Sequence, residues 1–235
     1  MYTFLLSKIE VGAHYYVNLG ENLHFHGETI FVSTLVVTAI SLFLIAGTSD
    51  LQKVPGNLQN LVEVVFELVK SVAVTQLGPT YYTQFLPFTA TIFLFVLGCN
   101  WAGALIPWKL IELPEGELSA PTNDINTTGL LAILTSLSYF FAGFKIKGIG
   151  YFARYIKPAV FFLPINIVED FAKPLSLNFR LFGNVVADEL TVAVICSLVP
   201  FIVPVPIMML GLFASSIQAL IFSTLAANYI AEVIE

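Results

Sequence analysis

Charged residues are scarce in this chain of 235 residues. Only 11% of the residues are Asp, Glu, Lys or Arg, while 57% are hydrophobic. A soluble domain carries roughly 25% charged residues, so this chain has too few to cover a surface in water. The composition excludes a water-soluble globular fold and predicts a polytopic membrane protein.

Other absences exclude further classes of function. Lys and Arg number 10 against 16 Asp and Glu, a net charge of −6, so a basic surface for nucleic acid is excluded. The two cysteines, Cys99 and Cys196, lie in apolar runs and resemble neither a disulfide framework nor a metal site. There is no Gly-rich phosphate loop. We therefore expect no nucleotide site, metal or cofactor in this chain.

The first 28 residues lack the features of a targeting signal. They are too polar for the core of a signal peptide and differ from the Arg- and Ser-rich composition of a transit peptide. We expect a segment outside the membrane, in a chain that either is mature or is made in the compartment that uses it. Its three histidines are expected to be surface residues, with proton buffering as the alternative: His14, His24 and His26.

Three uncharged runs have the length of a membrane-spanning helix, which needs roughly 20 apolar residues. They cover residues 29–49, 85–108 and 125–144. In the second run, Trp101 and Trp108 are placed like interfacial aromatics. The third run is rich in Asn, Thr and Ser, which indicates that one of its faces packs on protein.

Residues 54–77 have a different pattern. Pro55-Gly56-Asn57 is a plausible helix start, and Gly78-Pro79 a stop. Polar residues recur every three or four positions and form one narrow stripe: Asn60, Glu63, Glu67 and Lys70. This pattern predicts an amphipathic helix lying along the membrane interface. A tilted membrane span is the alternative.

The last two apolar segments, residues 164–197 and 207–234, are longer than a bilayer requires. As helices they would measure about 40–50 Å against a hydrocarbon core of about 30 Å. Pro174 should kink the first, and Pro200, Pro204 and Pro206 are expected to form the turn between them. The sequence thus predicts a single all-α membrane domain with five spans, one interfacial helix and a steeply tilted final hairpin.

The basic residues predict the orientation. Six lie in connections on one side of the membrane: Lys53, Lys70, Lys145, Lys147, Arg154 and Lys157. Lys8 and Lys109 lie on the other side. Since basic residues favour the inner side, the C-terminus is expected in the cytoplasm or stroma and residues 1–28 outside it.

Residues 164–197 contain six ionisable side chains: Glu169, Asp170, Lys173, Arg180, Asp188 and Glu189. Each charge near the bilayer centre costs about 2.5–3.5 kcal/mol on insertion scales. This helix must therefore face protein or water, and its ionisable residues are candidates for function. By depth, the first three lie near the inner side and the last two toward the outer side.

Arg180 is the central charge of this helix and has no acidic neighbour at three or four residues. Glu189 is about 13 Å away along the axis. Because arginine stays protonated when buried, its counter-charge is expected from another chain. Ser176 and Asn184 share the face of Arg180, and Gln218 of the last helix is the expected polar partner of this stripe. A simple interhelical hydrogen bond is the alternative role of Gln218.

Two long motifs resemble subunit a of F-type ATP synthases. They are Lys173-Pro-Leu-Ser-Leu-Asn-Phe-Arg-Leu-Phe-Gly-Asn-Val-Val-Ala-Asp-Glu189 and Ile217-Gln-Ala-Leu-Ile-Phe-Ser-Thr-Leu-Ala-Ala-Asn-Tyr229. Residues 120–128 and 150–158 resemble the chloroplast and cyanobacterial branch. The similarity covers nearly the whole chain, from residue 10 onward.

The resemblance implies a proton-conducting stator subunit without a catalytic site, in a chloroplast or cyanobacterial thylakoid membrane. Two offset half-channels would pass protons to and from a carboxylate on each c subunit of a rotating ring. Arg180 would attract that carboxylate, favour release of its proton and separate the half-channels. The other implied partners are peripheral-stalk subunits of the b and b′ type, the soluble catalytic sector and the lipid bilayer.

The resemblance also implies a proton path. Its lumenal side would be lined by Glu189, Asn184, Asp124 and Gln218. Its stromal side would be lined by Glu169 and Asp170, with Ser176 also on the path and Asp188 as a further candidate. Gly211 stands where some members of the family carry a histidine. We therefore expect Glu189 to carry more of the relay, with water beside Gly211.

Two other classes compete with this interpretation. A secondary ion transporter or exchanger would use Arg180 and the acids as a substrate site, but such folds show paired repeats, and the segment around Arg180 occurs once. A structural scaffold does not account for four carboxylates and a central arginine in one membrane helix.

Overall fold

The computed structural model describes residues 16–20, 23–105, 120–152, 155, 161, 163–198 and 203–234. Five α-helices account for most of them: α1 (Gly27–Thr48), α2 (Asn57–Leu105), α3 (Ile125–Lys147), α4 (Leu163–Leu198) and α5 (Pro204–Ile234). Short 3-10 turns at Pro121–Asn123 and Gly148–Phe152 flank α3. Strands β1 (Tyr16–Gly20) and β2 (Leu23–His26) form an antiparallel hairpin before α1, which the all-α prediction did not include.

Among the described residues, four helices are long and apolar enough to cross a membrane, namely α1, α2, α3 and α5. Large apolar side chains such as Leu42, Leu137 and Phe213 are more than 60% exposed, as lipid-facing residues are. The described chain is therefore an all-helical membrane protein apart from its hairpin. The fifth predicted span, residues 164–197, corresponds to α4, which is not among the four helices. Five spans and a tilted hairpin remain predictions.

Helix α2 is divided into two arms at Gly78, whose φ of 72° and ψ of 169° are not helical. Glycine adopts this left-handed φ without the penalty of a Cβ, and Pro79 has no N–H to continue the helix. The predicted stop at Gly78-Pro79 is therefore confirmed. The first arm begins at Asn57 rather than residue 54, and the second arm follows Gly78 directly, before the predicted residue 85. That the first arm lies along the membrane interface remains a prediction.

Two prolines expected in the final turn belong to a helix instead. Helix α5 begins at Pro204, so Pro204 and Pro206 occupy its first turn. Proline is tolerated there because the first N–H groups of a helix have no intrahelical partner. Helix α4 continues through Pro174 to Leu198. Other residues used in the sequence arguments lie outside the described ranges: Lys8, His14, Trp108, Lys109, Arg154, Lys157 and Pro200.

The bundle has two ends, named here after glutamates that lie near them. Helices α1, α3 and α5 begin at the Glu189 end, while α2 and α4 begin at the Glu232 end. Helix α5 packs mainly against α2, and α4 packs against α3 and α5. On α4, Leu177 and Leu181 are buried in a core cluster shared with α2, α3 and α5. Since successive residues are about 100° apart on a helix, this burial turns the neighbouring Arg180 outward.

Candidate functional site

Arg180 lies on the exposed side of α4. Within the described ranges, no ion pair or hydrogen bond joins its guanidinium to another residue. The Tyr229 phenol of α5 lies within its electrostatic influence. A cation that stays charged in a membrane helix needs a counter-charge or water, so the structure leaves Arg180 open toward whatever covers this face.

The polar stripe predicted around Arg180 follows one side of α4 only. Ser176 is exposed like Arg180, and Asn184 is half-buried. Gln218 on α5 is buried, with 6% exposure. No hydrogen bond links it to Arg180 or to another side chain in the part of the chain that the structure describes. The predicted pairing of Gln218 with the Arg180 stripe is therefore not seen.

At the Glu189 end, two predicted residues from distant segments come together through Asn123. The Asn123 side-chain amide donates a hydrogen bond to the Glu189 carboxylate. The next residue, Asp124, is buried and caps α3, because its Oδ1 accepts hydrogen bonds from the Asn126 backbone N–H at 2.9 Å and from Asn126 Nδ2 at 3.1 Å. The fold thus brings Glu189 to the turn before α3, at the residue that directly precedes Asp124.

Asp188 lies closer to α5 than expected. A Cβ built on Gly211 would stand 3.7 Å from both Cγ and Oδ2 of Asp188. Its Oδ2 is buried and has no hydrogen-bond partner within the described ranges. The sequence predicts water beside Gly211 and a larger share of the relay for Glu189. Both remain predictions, and the structure adds that the Asp188 carboxylate lies beside Gly211.

Helix α2 contributes Asn100, which was not among the predicted site residues, and Trp101, which was predicted only as an interfacial aromatic. Asn100 is buried, and its Nδ2 donates to the Ser215 carbonyl at 3.3 Å, while Trp101 Nε1 donates to Ser216 Oγ at 2.9 Å. Asn100 Oδ1 and Gln218 Nε2 are buried without partners in the described part of the chain. Buried polar groups of this kind are usually satisfied by water. The sequence signal that could have identified Asn100 is a lone Asn in an apolar span.

At the Glu232 end, Asp170 is buried between aromatic hydroxyl groups. Tyr155 donates a hydrogen bond to Asp170 Oδ2, and Tyr139 donates to the Asp170 carbonyl at 3.3 Å. Burial, and then the hydrogen bond to Asp170, raise the pKa of the Tyr155 phenol. A cavity of about 600 Å³ lies beside this group, lined among others by Ser136, Phe140, Tyr155, Asp170, Phe171 and Pro174.

Lys173 is the second charged centre at the Glu232 end and is 8% exposed. Its Nζ lies 2.8 Å from both carboxylate oxygens of Glu232 and 3.0 Å from Glu169 Oε1. It also lies 5.5 Å from the centroid of the Tyr229 ring, a cation–π arrangement. Sequence reasoning missed Glu232, since a single acid near the end of an apolar helix is a weak signal.

These clusters lie on both sides of Arg180. Along α4, Lys173 is about 10 Å and Glu189 about 13 Å from Arg180. The charged helix α4 has polar clusters toward both ends and a central arginine without an ion pair in the described part of the chain, and it is held among apolar helices. These features define a polytopic membrane subunit that conducts an ion.

Comparison with known proteins identifies the family. The model of the family "ATP synthase A chain" matches residues 30–231. A relative named "ATP synthase subunit a, chloroplastic", from Stigeoclonium helveticum, is 55% identical over 232 residues, which cover 99% of this chain and 94% of the relative. The chain therefore belongs to the ATP synthase A chain family and is a proton-conducting stator of the membrane sector, without a catalytic site of its own. The resemblance found in the motifs is confirmed.

Proposed function

We propose that this chain conducts protons across a chloroplast thylakoid membrane through two offset half-channels that meet a ring of c subunits beside Arg180. The observation that carries this proposal is the exposed Arg180 guanidinium, which has no ion pair within the described ranges. A carboxylate on each c subunit supplies the missing counter-charge. The relative from Stigeoclonium helveticum, named as chloroplastic, supports the location.

Arg180 has two roles in this mechanism. Its fixed positive charge stabilises the ionised form of an approaching ring carboxylate, which favours release of the proton. Because the guanidinium stays protonated, it also repels a proton that would pass directly between the half-channels. The rotating ring is then the only route from one half-channel to the other.

The half-channel at the Glu189 end takes up protons from the lumen. The cluster of Asp124, Asn123 and Glu189 lies at its opening, and Asn184 and Gln218 lead toward Arg180. Asp188 belongs to this path, since its carboxylate faces Gly211. Asn100 Oδ1 and Gln218 Nε2 are buried and have no hydrogen-bond partner among the described residues, which supports a chain of water along α2 and α5.

The half-channel at the Glu232 end releases protons to the stroma. Ser176 lies on the exposed face one turn from Arg180, and Glu169 and Asp170 lie farther toward this end. This assignment places the N-terminus in the lumen and the C-terminus in the stroma, in agreement with the basic residues in the connections. Peripheral-stalk subunits of the b and b′ type and the soluble catalytic sector complete the assembly.

The test is ATP synthesis driven by an imposed pH gradient, in vesicles that contain the whole complex. Arg180→Ala should abolish synthesis while the complex still assembles. Lys53→Ala is the matched control, because it removes a cation from an exposed connection between α1 and α2 and should leave synthesis unchanged. Wild-type synthesis by Arg180→Ala would overturn the proposal and favour an exchanger instead.

A further inference from the structure

We propose that Glu232 is a positioning residue for proton transfer: it holds the Lys173 ammonium at the Glu232 end of the bundle and keeps this second cation away from Arg180. The inference rests on the proposed function, because it concerns the charge that a ring carboxylate meets on α4. It adds a residue of α5 that neither the motifs nor the comparisons assign.

Lys173 and Arg180 project from nearly the same face of α4. They are seven residues apart, which corresponds to almost two full turns, about 20° around the axis and about 10 Å along it. Their environments nevertheless differ, since Lys173 is 8% exposed and Arg180 is exposed. The two long cationic side chains on this face therefore differ in burial: Lys173 is buried and Arg180 is exposed.

The ion pairs of Lys173 explain this difference. Glu169 precedes Lys173 by four residues, so its contact at 3.0 Å draws the ammonium toward the start of α4, away from Arg180. A pair at this spacing within one helix is weak by itself. Glu232 reaches across from α5 and contacts the ammonium through both oxygens at 2.8 Å. The interhelical contact is the one that fixes where the charge lies.

The Tyr229 ring of α5 lies beside the Lys173 ammonium, and Lys173 is about 10 Å from Arg180 along α4. Lys173 Nζ lies 5.5 Å from the centre of the Tyr229 ring, and the same phenol lies within the electrostatic influence of Arg180. Lysine carries its charge on a flexible four-carbon chain. Without the Glu232 carboxylate, the ammonium could turn toward Arg180 and hold a ring carboxylate in its ionised form after that carboxylate has passed the arginine.

The experiment compares three variants of the complete ATP synthase in vesicles, with synthesis driven by an imposed pH gradient and normalised to assembled complex. Glu232→Gln should lower the rate between about 2-fold and 15-fold, the range for one unit charge about 10 Å away in surroundings between water and a protein surface. The double variant with Lys173→Gln should return the rate to within about 2-fold of wild type, because the uncompensated cation is gone. Glu67→Gln, which neutralises an exposed acid on the first arm of α2, should match wild type.

The rate of the double variant distinguishes an effect of the Lys173 charge from a purely structural contact between α4 and α5. If Glu232 and Lys173 served only to join α4 to α5, the double variant would be as impaired as Glu232→Gln, and that result would overturn the inference. A wild-type rate in Glu232→Gln would overturn it as well. Should Glu232→Gln fail to assemble, Glu232→Asp keeps the charge on a shorter chain, and its smaller defect must also be relieved by Lys173→Gln.

Arg180→Ala in the same vesicles separates the inference from the proposed function. If Arg180→Ala makes no ATP and Glu232→Gln behaves like wild type, only the role of Glu232 is wrong. If Arg180→Ala makes ATP at the wild-type rate, the proposed function fails, whatever the result for Glu232.

Discussion

The carboxylate of Asp188 on α4 faces the backbone of Gly211 on α5, where a Cβ would lie 3.7 Å from Asp188 Oδ2. An alanine Cβ would make ordinary van der Waals contact with the acid, whereas a long branched side chain such as leucine would compete with the acid for this space. Because Gly211 has no side chain, α5 leaves space for the Asp188 side chain of α4. This relationship supports the place of Asp188, beside Glu189, in the proton path proposed for the Glu189 end.

Asp188→Asn should therefore lower ATP synthesis by at least about 10-fold. The effect is smaller than the roughly 100-fold of a lost general acid or base, because water can replace part of the relay. Gly211→Leu should cause a similar loss by displacing the carboxylate, while Gly211→Ala makes only an ordinary van der Waals contact and should retain synthesis. The measurement is the rate of ATP synthesis by each variant under an imposed pH gradient. Equal rates for Gly211→Leu and wild type would show that Asp188 does not need this space.

Asn123 should matter through the hydrogen bond that it donates to Glu189. Asn123→Ala removes a donor to a charged acceptor, an interaction worth about 1.5–3 kcal/mol, so we expect synthesis to fall by about 10-fold or more. Asn126→Ala is the comparison, because Asn126 Nδ2 bonds to Asp124 Oδ1 instead and leaves Glu189 untouched. A smaller loss in Asn123→Ala than in Asn126→Ala would contradict this role for Asn123.

Local and energetic signals in the sequence were enough to predict part of this architecture. The end of the first arm of α2 depends on Gly78 and Pro79 alone, and both act through their own backbone. Arg180 was detectable because an unpaired charge deep in a membrane helix is costly. Both features can be predicted without any knowledge of how the helices pack.

The missed residues depend on the alignment of one helix with another. Glu232 meets Lys173, and Asn123 meets Glu189, only because α4 lies antiparallel to α5 and beside α3 with a particular register. Asp188 and Glu189 are adjacent in sequence but about 100° apart around the helix. Which of the two faces Gly211 therefore follows from the rotation of α4, and the buried Leu177 and Leu181 determine that rotation.

Gly143 should be essential for the packing of α3 against α5. A Cβ at this position would overlap Val233 Cγ1 and the Tyr151 ring, and both neighbours are buried with 1% exposure. Overpacking of such a site costs about 1–3 kcal/mol, so Gly143→Ala should reduce the thermal stability of the assembled complex, and Gly143→Val should reduce it further. Gly150→Ala is the control, because no atom of the described residues lies within 4 Å of its Cβ position. Equal thermal stability of the Gly143→Ala and Gly150→Ala complexes would argue against this close approach.

Tyr155 should act as a hydrogen-bond donor to Asp170 at every physiological pH. Burial and the bond to Asp170 raise the pKa of its phenol above the ordinary value of 10.0. A raised pKa means that the folded state keeps its proton when the unfolded state loses it, so the stability from this group is complete below pH 10.0 and declines only as pH rises above it.

Tyr155→Phe removes the donor and should lower ATP synthesis by about 2-fold to 10-fold, the range for a hydrogen bond of about 0.5–1.5 kcal/mol. The ratio of the variant to the wild-type rate should stay constant as the pH on the side of the Glu232 end is raised in steps that remain below 10.0. A ratio that changes steadily across this range would show that the phenol ionises during transport and is not a fixed donor.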